Sequence, residues 1–229
     1  MYVEAQPAGD ADLASVGALL AEPARTKVLL ALSDGRSLPA STLAAEAGVT
    51  ASTASHHLAR LVDGGLISVA ARGRHRYYAL AGADVAELLE AVARVAPARP
   101  VTSLREGTRA HALRYARRCY DHLAGRLGVA VAEALERQRY VVTDAAFTVS
   151  DLGAARLGDV GIPARAGETA RACRDWTEQR SHVGGPLGRA LLTGFVEHGW
   201  LERDAKTRAL HLTSAGESAL PAELGVLLP

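Results

Sequence analysis

The stretch Ala47–Gly65, AGVTASTASHHLARLVDGG, constrains this chain more than any other. Gly48 ends one short helix, Thr50 is placed to cap the next, and Gly64-Gly65 stop it. Within that second helix Ala54, Leu58 and Leu61 recur at helical spacing, so they face a core. At about 100° per residue, Ser52, Thr53, His56 and Arg60 fall on the opposite face, with Ser55 and His57 on its flanks. Two short helices meeting at a tight glycine turn, the second exposing small polar donors, an imidazole and a guanidinium, make a helix-turn-helix.

What surrounds this pair extends the pattern. Upstream, Ala11–Ala21 and Pro23–Ser33 read as helices, with Pro23 suited to a first helical position and Asp34-Gly35 as the stop. Pro39–Ala47 reads as the first helix of the pair. Downstream, Leu66–Ala70 and His75–Leu80 are short β-type runs joined by Ala71-Arg72-Gly73-Arg74, a hairpin with a basic tip. Spacing alone predicts that Arg72, Arg74 and Arg76 project to one side, with His75 between them. Ala83–Val95 returns to helical spacing, and the prolines of Ala96-Pro97-Ala98-Arg99-Pro100 mark a boundary between domains at 1–96 and 101–229.

The formal net charge is only +1, but its distribution is uneven. Between Thr50 and Leu80 stand Arg60, Arg72, Arg74 and Arg76 against the single acid Asp63, the local excess that contact with phosphates requires. Small donors on an inserted helix suit the major groove, with Ser52, Thr53, Ser55, His56 and Arg60 as the reading set. His57, Arg72, Arg74, His75 and Arg76 would meet the backbone or minor groove. The bland alternative is a small helical domain with a solvated hairpin.

The run PARTKVLLALSDG, followed by LAAEAGVTASTASHHLARLVDGGLISVAARGRHRYYAL, closely resembles the ArsR family of winged-helix repressors over residues 11–96. The resemblance implies a homodimer that reads a palindromic operator in double-stranded DNA through two recognition helices. Two of the family's metal-sensing patterns are missing. The helix before the recognition helix has no cysteine, and the closing helix, residues 84–94, has no histidine.

The remainder contains an internal duplication. D-HLAGRLG, ending at Gly128, matches S-HVGGPLG, ending at Gly188, so His122 corresponds to His182. Each copy continues into a helix and an extended pair, RYVVTDAAFTVSDLG and GWLERDAKTRALHLTSAG. The expected fold is therefore mainly α with short β-hairpins: a winged helix-turn-helix domain plus a C-terminal domain of two degenerate winged-helix-like repeats. Thr108, His111, Tyr115, Cys119 and His122 follow helical spacing, and Cys173, Asp175, Trp176 and His182 occupy the matching part of the second copy. Brought together, Cys119, His122, Cys173 and His182 would suit zinc or another thiophilic ion. The preferred reading at this level is plainer: two cysteines acting as small buried hydrophobes and two satisfied core histidines. A small organic ligand beside Trp176 stands as a further alternative.

Two cysteines are too few for a disulfide scaffold, and neither a signal peptide nor a membrane-length apolar run is evident, so the expected location is cytoplasmic. The function expected is sequence-specific DNA binding by a transcription regulator, a homodimeric repressor released by an unidentified small-molecule or ion effector. The competing readings are a Cys/His-dependent enzyme and a metal or redox sensor fused to a DNA-binding module. The enzyme reading lacks a third catalytic member and a glycine-rich substrate loop.

Overall fold

The computed structural model describes residues 10–97, 103–144 and 146–229. Their contacts divide the chain into two units, Met1–Leu32 with Ser37–Gly82 and Ser33–Arg36 with Ala83–Pro229. No helix among the described residues is long and apolar enough to cross a membrane.

The first unit runs α1 (Leu13–Leu20), α2 (Pro23–Leu32), β1 (Leu38–Pro39), α3 (Ala40–Ala47), α4 (Ala51–Asp63), β2 (Ile67–Arg72) and β3 (His75–Leu80). Arg25 on α2 is buried and donates to the carbonyls of Leu19 and Ala18, so a cation satisfies the C-terminal end of α1. Gly48 takes a φ of +72°, which lets its N–H reach the Ala44 and Ala45 carbonyls and turns the chain sharply from α3 into α4. Thr50 then caps α4 by accepting from the Thr53 N–H. Val28, Leu29 and Leu32 of α2, Leu43 of α3, Ala54, Leu58 and Leu61 of α4, and Ile67, Tyr78 and Leu80 of the sheet are buried.

The sheet has a strand that the sequence reading misses. Its order is β1-β3-β2, with Leu38 opposite Tyr78 and Pro39 opposite Tyr77. Pro39 is extended and precedes the helix instead of starting it, as a proline on an edge strand can.

The second unit begins with α5 (Ala83–Val95) and α6 (Leu104–Tyr115). Two stretches of identical element order follow. The first is β4 (Arg117–Cys119), β5 (His122–Ala124), α7 (Arg126–Arg137), β6 (Val141–Thr143), β7 (Phe147–Val149) and α8 (Asp151–Asp159). After the short β8 (Thr169–Ala170), the second is β9 (Ala172–Arg174), β10 (Ser181–Val183), α9 (Gly185–Glu197), β11 (Leu201–Arg203), β12 (Leu210–Leu212) and α10 (Ser214–Leu224). Packing between the stretches is reciprocal: α7 lies against β10 and α9 against β5, while β5 and β10 are neighbours. Leu127, Leu135, Phe147, Leu157, Leu187, Phe195 and Leu220 anchor their common core.

One local closure occurs three times. After α4, α7 and α9 comes a left-handed residue, Gly65, Arg139 or Gly199. The carbonyl of the next residue, Leu66, Tyr140 or Trp200, accepts from the first residue past the returning strand, the N–H of Ala81, Ser150 or Thr213. In the second unit the Ser150 and Thr213 hydroxyls also cap α8 and α10. Gly153 and Gly216 are equivalent residues of those helices. A Cβ would stand 1.9 Å from the Tyr140 oxygen at the first and 2.2 Å from the Trp200 oxygen at the second.

The units part at Gly82 and Ala83, earlier than the proline-based boundary, and residues 98–102 of that connector lie outside the described residues. The reason is charge: α5 sends buried Glu90 to Arg117 and Arg208, both at 3.5 Å, and Glu87 to Arg171, all within the second unit.

Candidate functional site

Two groups of residues carry chemistry, and each is built by its own unit. On α4, the buried stripe of Ala54, Leu58 and Leu61 leaves Ser52, Thr53, Ser55, His56 and Arg60 exposed and His57 half-buried. Two of the hydroxyls already have partners in the helix. Thr53 Oγ1 is 2.9 Å from Thr50 Oγ1, and Ser55 Oγ donates to the Ala51 carbonyl at 2.9 Å. Ser52, His56 and Arg60 therefore keep the freest polar ends on this face.

The β2–β3 hairpin corrects the expected alternation of arginines. Its register pairs Arg72 with His75 and Ala71 with Arg76 across a turn of Gly73 and Arg74. In an antiparallel pair, opposite residues share a face, so Arg72 and His75 point one way and Arg76 the other. Arg74 sits at the tip, and the Arg72 guanidinium lies 5.4 Å from the Tyr77 ring centroid. All four basic side chains are exposed.

The second group is the cysteine–histidine cluster. Helical spacing is not what assembles it. Helix α6 ends at Tyr115, and Thr108 and His111 on it are exposed. Cys119 and His122 are instead cross-strand partners at the end of β4–β5, joined by a tight turn in which Tyr120 takes a φ of +59°. Cys173 and His182 are cross-strand partners of β9–β10 in the same way, which accounts for their wide sequence separation. Packing of β5 beside β10 then gathers all four side chains, with one ligand atom from each lying within 4.8 Å of the others. Their exposures are 3% for Cys119, 1% for His122, 7% for Cys173 and 0% for His182.

Carboxylates stand behind both rings. The two Nε2 atoms face each other at 3.2 Å, while His122 Nδ1 is 3.0 Å from Asp121 and His182 Nδ1 is 3.3 Å from Asp175. Asp121 is held in turn by Arg189. Asp175 accepts from the Gly125 N–H at 2.7 Å, from Arg117 at 3.0 Å, and from the N–H and hydroxyl of Thr177. Burial opposes its charge, but these donors and His182 hold its carboxyl well below the usual carboxylate range. Burial also disfavours a charged His122, yet Asp121 and Cys173 outweigh it and raise this imidazole to about 9. The two thiols diverge: donation from Cys119 to Cys173 pushes Cys119 up and Cys173 down, favouring one thiolate between two imidazoles. The sequence reading singled out Asp175 but missed Asp121, Arg117 and Glu90. Asp121 could have been found from its position next to His122.

The Trp176 ring lies 5.2 Å from the Arg117 guanidinium and 6.0 Å from that of Arg114. A groove of about 560 Å³ is lined by Asp121, Arg171, Arg189 and Pro186 among others.

Comparison with known proteins starts at the first unit, where a helix-turn-helix domain family matches residues 20–70. YdfF of Bacillus subtilis, described as an uncharacterized HTH-type transcriptional regulator, is 41% identical over 221 residues, spanning 94% of this chain and 98% of its own. The chain belongs to the HTH-type transcriptional regulators. The regulator is also 43% identical over 77 residues to CmtR of Mycobacterium tuberculosis, an HTH-type transcriptional regulator, covering 34% of this chain and 64% of that one. Among solved structures, the CmtR structure, called a cadmium metal-sensor, is 36% identical over 40% of this chain and 99% of its own at a TM-score of 0.31. The homodimeric winged helix-turn-helix domain Mb0332 of Mycobacterium bovis is 33% identical, with 38% of this chain, 86% of that chain and a TM-score of 0.32.

Proposed function

We propose that this DNA-binding regulator acts as a homodimeric repressor at a palindromic operator, with the second unit as its effector-sensing half. The observation that carries the reading is the exposed polar face of α4 beside a basic hairpin. Ser52, Thr53, Ser55, His56 and Arg60 enter the major groove, where Arg60 is long enough to reach a guanine edge. His57, Arg72, Arg74, His75 and Arg76 meet phosphates or the minor groove. Because Arg76 faces away from Arg72 and His75, the hairpin straddles a backbone with its tip instead of laying one side along it.

The repeated helix–hairpin closure supports reading the second unit as two degenerate winged-helix-like repeats. Their hairpins do not serve DNA. Arg208 is turned inward onto Glu90, and the β6–β7 tip carries Asp144. The cysteine–histidine cluster suits a thiophilic ion such as zinc as the signal or cofactor. With four soft or borderline donors buried around one point, it suits ligation better than catalysis.

Selection of bound sequences from random duplexes tests the proposal, followed by Arg60→Ala and Arg74→Ala on the selected site. Arg60→Ala should cost about 1–3 kcal/mol and relax preference at one base pair, whereas Arg74→Ala should weaken all duplexes alike and lower the salt dependence. Affinities unchanged in both variants would refute the assignment of α4 and the wing as readers.

A further inference from the structure

We propose that Cys119, His122, Cys173 and His182 bind one divalent ion of the zinc class per chain, tetrahedrally, at the point where the two stretches of the second unit meet. The idea deepens the reading of that unit as the sensing half, and it specifies the ion, the outer shell and the route by which occupancy is felt.

Geometry is the first support. Zinc held at 2.0–2.1 Å by two imidazoles separates their nitrogens by about 3.3 Å across a tetrahedral edge. The two Nε2 atoms stand 3.2 Å apart, with both sulfurs inside the same 4.8 Å sphere of ligand atoms. The remaining nitrogens complete the pattern. A metal-bound imidazole normally gives its other N–H to a carboxylate, which fixes tautomer and ring orientation. Asp121 is in hydrogen-bond range of His122 Nδ1, and the Asp175 carboxylate lies 3.3 Å from His182 Nδ1, placed to take its proton once the ring turns toward it. Space is reserved as well, since a Cβ on Gly184 would come within 3.3 Å of His122 Nε2 and 3.4 Å of Cys173 Cβ.

Charge selects the oxidation state. The site is buried, and a buried net charge is costly unless paired. Two thiolates balance a divalent cation, while the surrounding ions already balance among themselves: Arg117 and Arg208 against Glu90 and Asp175, Arg189 against Asp121. A monovalent ion would leave one uncompensated negative charge. Each hairpin supplies one sulfur and one nitrogen, so neither can hold the ion alone, and binding clamps β4–β5 to β9–β10. The clamp reaches α5 through side chains in contact: His182, Asp175, Arg117 and Glu90.

The test uses the full-length protein, reduced and stripped with chelator, then titrated with cobalt(II) and competed with zinc. The expected result is one equivalent per chain, visible absorption of a tetrahedral site with two sulfur ligands, and displacement of cobalt by zinc. Cys173→Ser should weaken the sulfur-to-cobalt band, leaving the part due to Cys119, and Cys119→Ser with Cys173→Ser should remove it. Asp121→Asn, a half-exposed position that leaves the ligands intact, should weaken the affinity 10- to 100-fold. Absent or octahedral cobalt binding by folded protein, or an Asp121→Asn affinity equal to that of the parent, would overturn the proposal. DNA binding is measured separately on the stripped and loaded forms. Equal DNA affinity in both would overturn the sensing role of the unit while supporting the ion site as a structural clamp.

Discussion

Arg117→Met isolates the buried charge network. The side chain of Arg117 is fully buried between Asp175 at 3.0 Å and Glu90 at 3.5 Å, with the Trp176 ring against its guanidinium. Methionine refills much of the volume but leaves two carboxylates without their shared cation. Removing one member of a buried ion pair costs about 3–5 kcal/mol, most of it from the charge left behind. Here both survivors keep partners: Asp175 retains Gly125, Thr177 and Glu178 as donors, and Glu90 retains Arg208. The loss should therefore lie at the lower end, about 3 kcal/mol, which for a unit of this size lowers the melting temperature by roughly 6–12 °C. Arg180→Met is the control, because Arg180 pairs with Glu133 but its side chain is 63% exposed, and such pairs contribute about 0–1 kcal/mol. Calorimetry of both variants in buffers of identical metal content gives the comparison. A loss below about 1 kcal/mol for Arg117→Met, or one equal to the control, would refute the claim that this network holds α5 to the second unit.

The two equivalent glycines and the helix cap offer simpler checks. Gly153→Ala and Gly216→Ala should each destabilise by at least about 1 kcal/mol through collision with a carbonyl oxygen, whereas Gly158→Ala, on the open side of α8, should stabilise by about 0.5–1 kcal/mol; chemical denaturation of the three variants compares them directly. Thr50→Ala removes the cap of α4 and should cost about 1 kcal/mol, read as an earlier loss of helical signal in the first unit and a weakened DNA affinity even though no reading side chain has changed.

Much of the first unit was legible because its information is local. Gly48, Thr50 and the Ala54, Leu58, Leu61 stripe define α4 from within a single stretch, and the structure places them as the spacing requires. The errors came where side-chain direction depended on a partner strand. The arginines of the wing alternate along the chain, but the two-residue turn of Gly73 and Arg74 decides which of them share a face. Strand β1, only two residues long, has no periodicity to detect. The cluster shows the same division. The four residues could be picked out by their types and by the His122–His182 match, yet a three-residue step from Cys119 to His122 reads equally as a helical turn or a hairpin. The hairpin wins because α6 ends at Tyr115 and the next backbone is extended, a tertiary outcome that spacing does not encode. Arg117 and Glu90 acquire their roles only once β4, β9 and α5 converge.

The reciprocal packing of α7 on β10 and α9 on β5 has a bearing on how such a unit arises and fails. Each stretch shelters the other's hairpin, so half of the unit, cut between β8 and β9, would have no complete interior. A lone half could finish itself only by embracing a second molecule, an association that depends on concentration. Joining both halves in one polypeptide makes that embrace intramolecular, at an effective concentration of about millimolar for a short tether. The same property carries a hazard: when the tether between β8 and β9 is loosened, an exchange of halves between neighbouring molecules satisfies every surface equally well, and swapped oligomers become the natural product of refolding at high concentration.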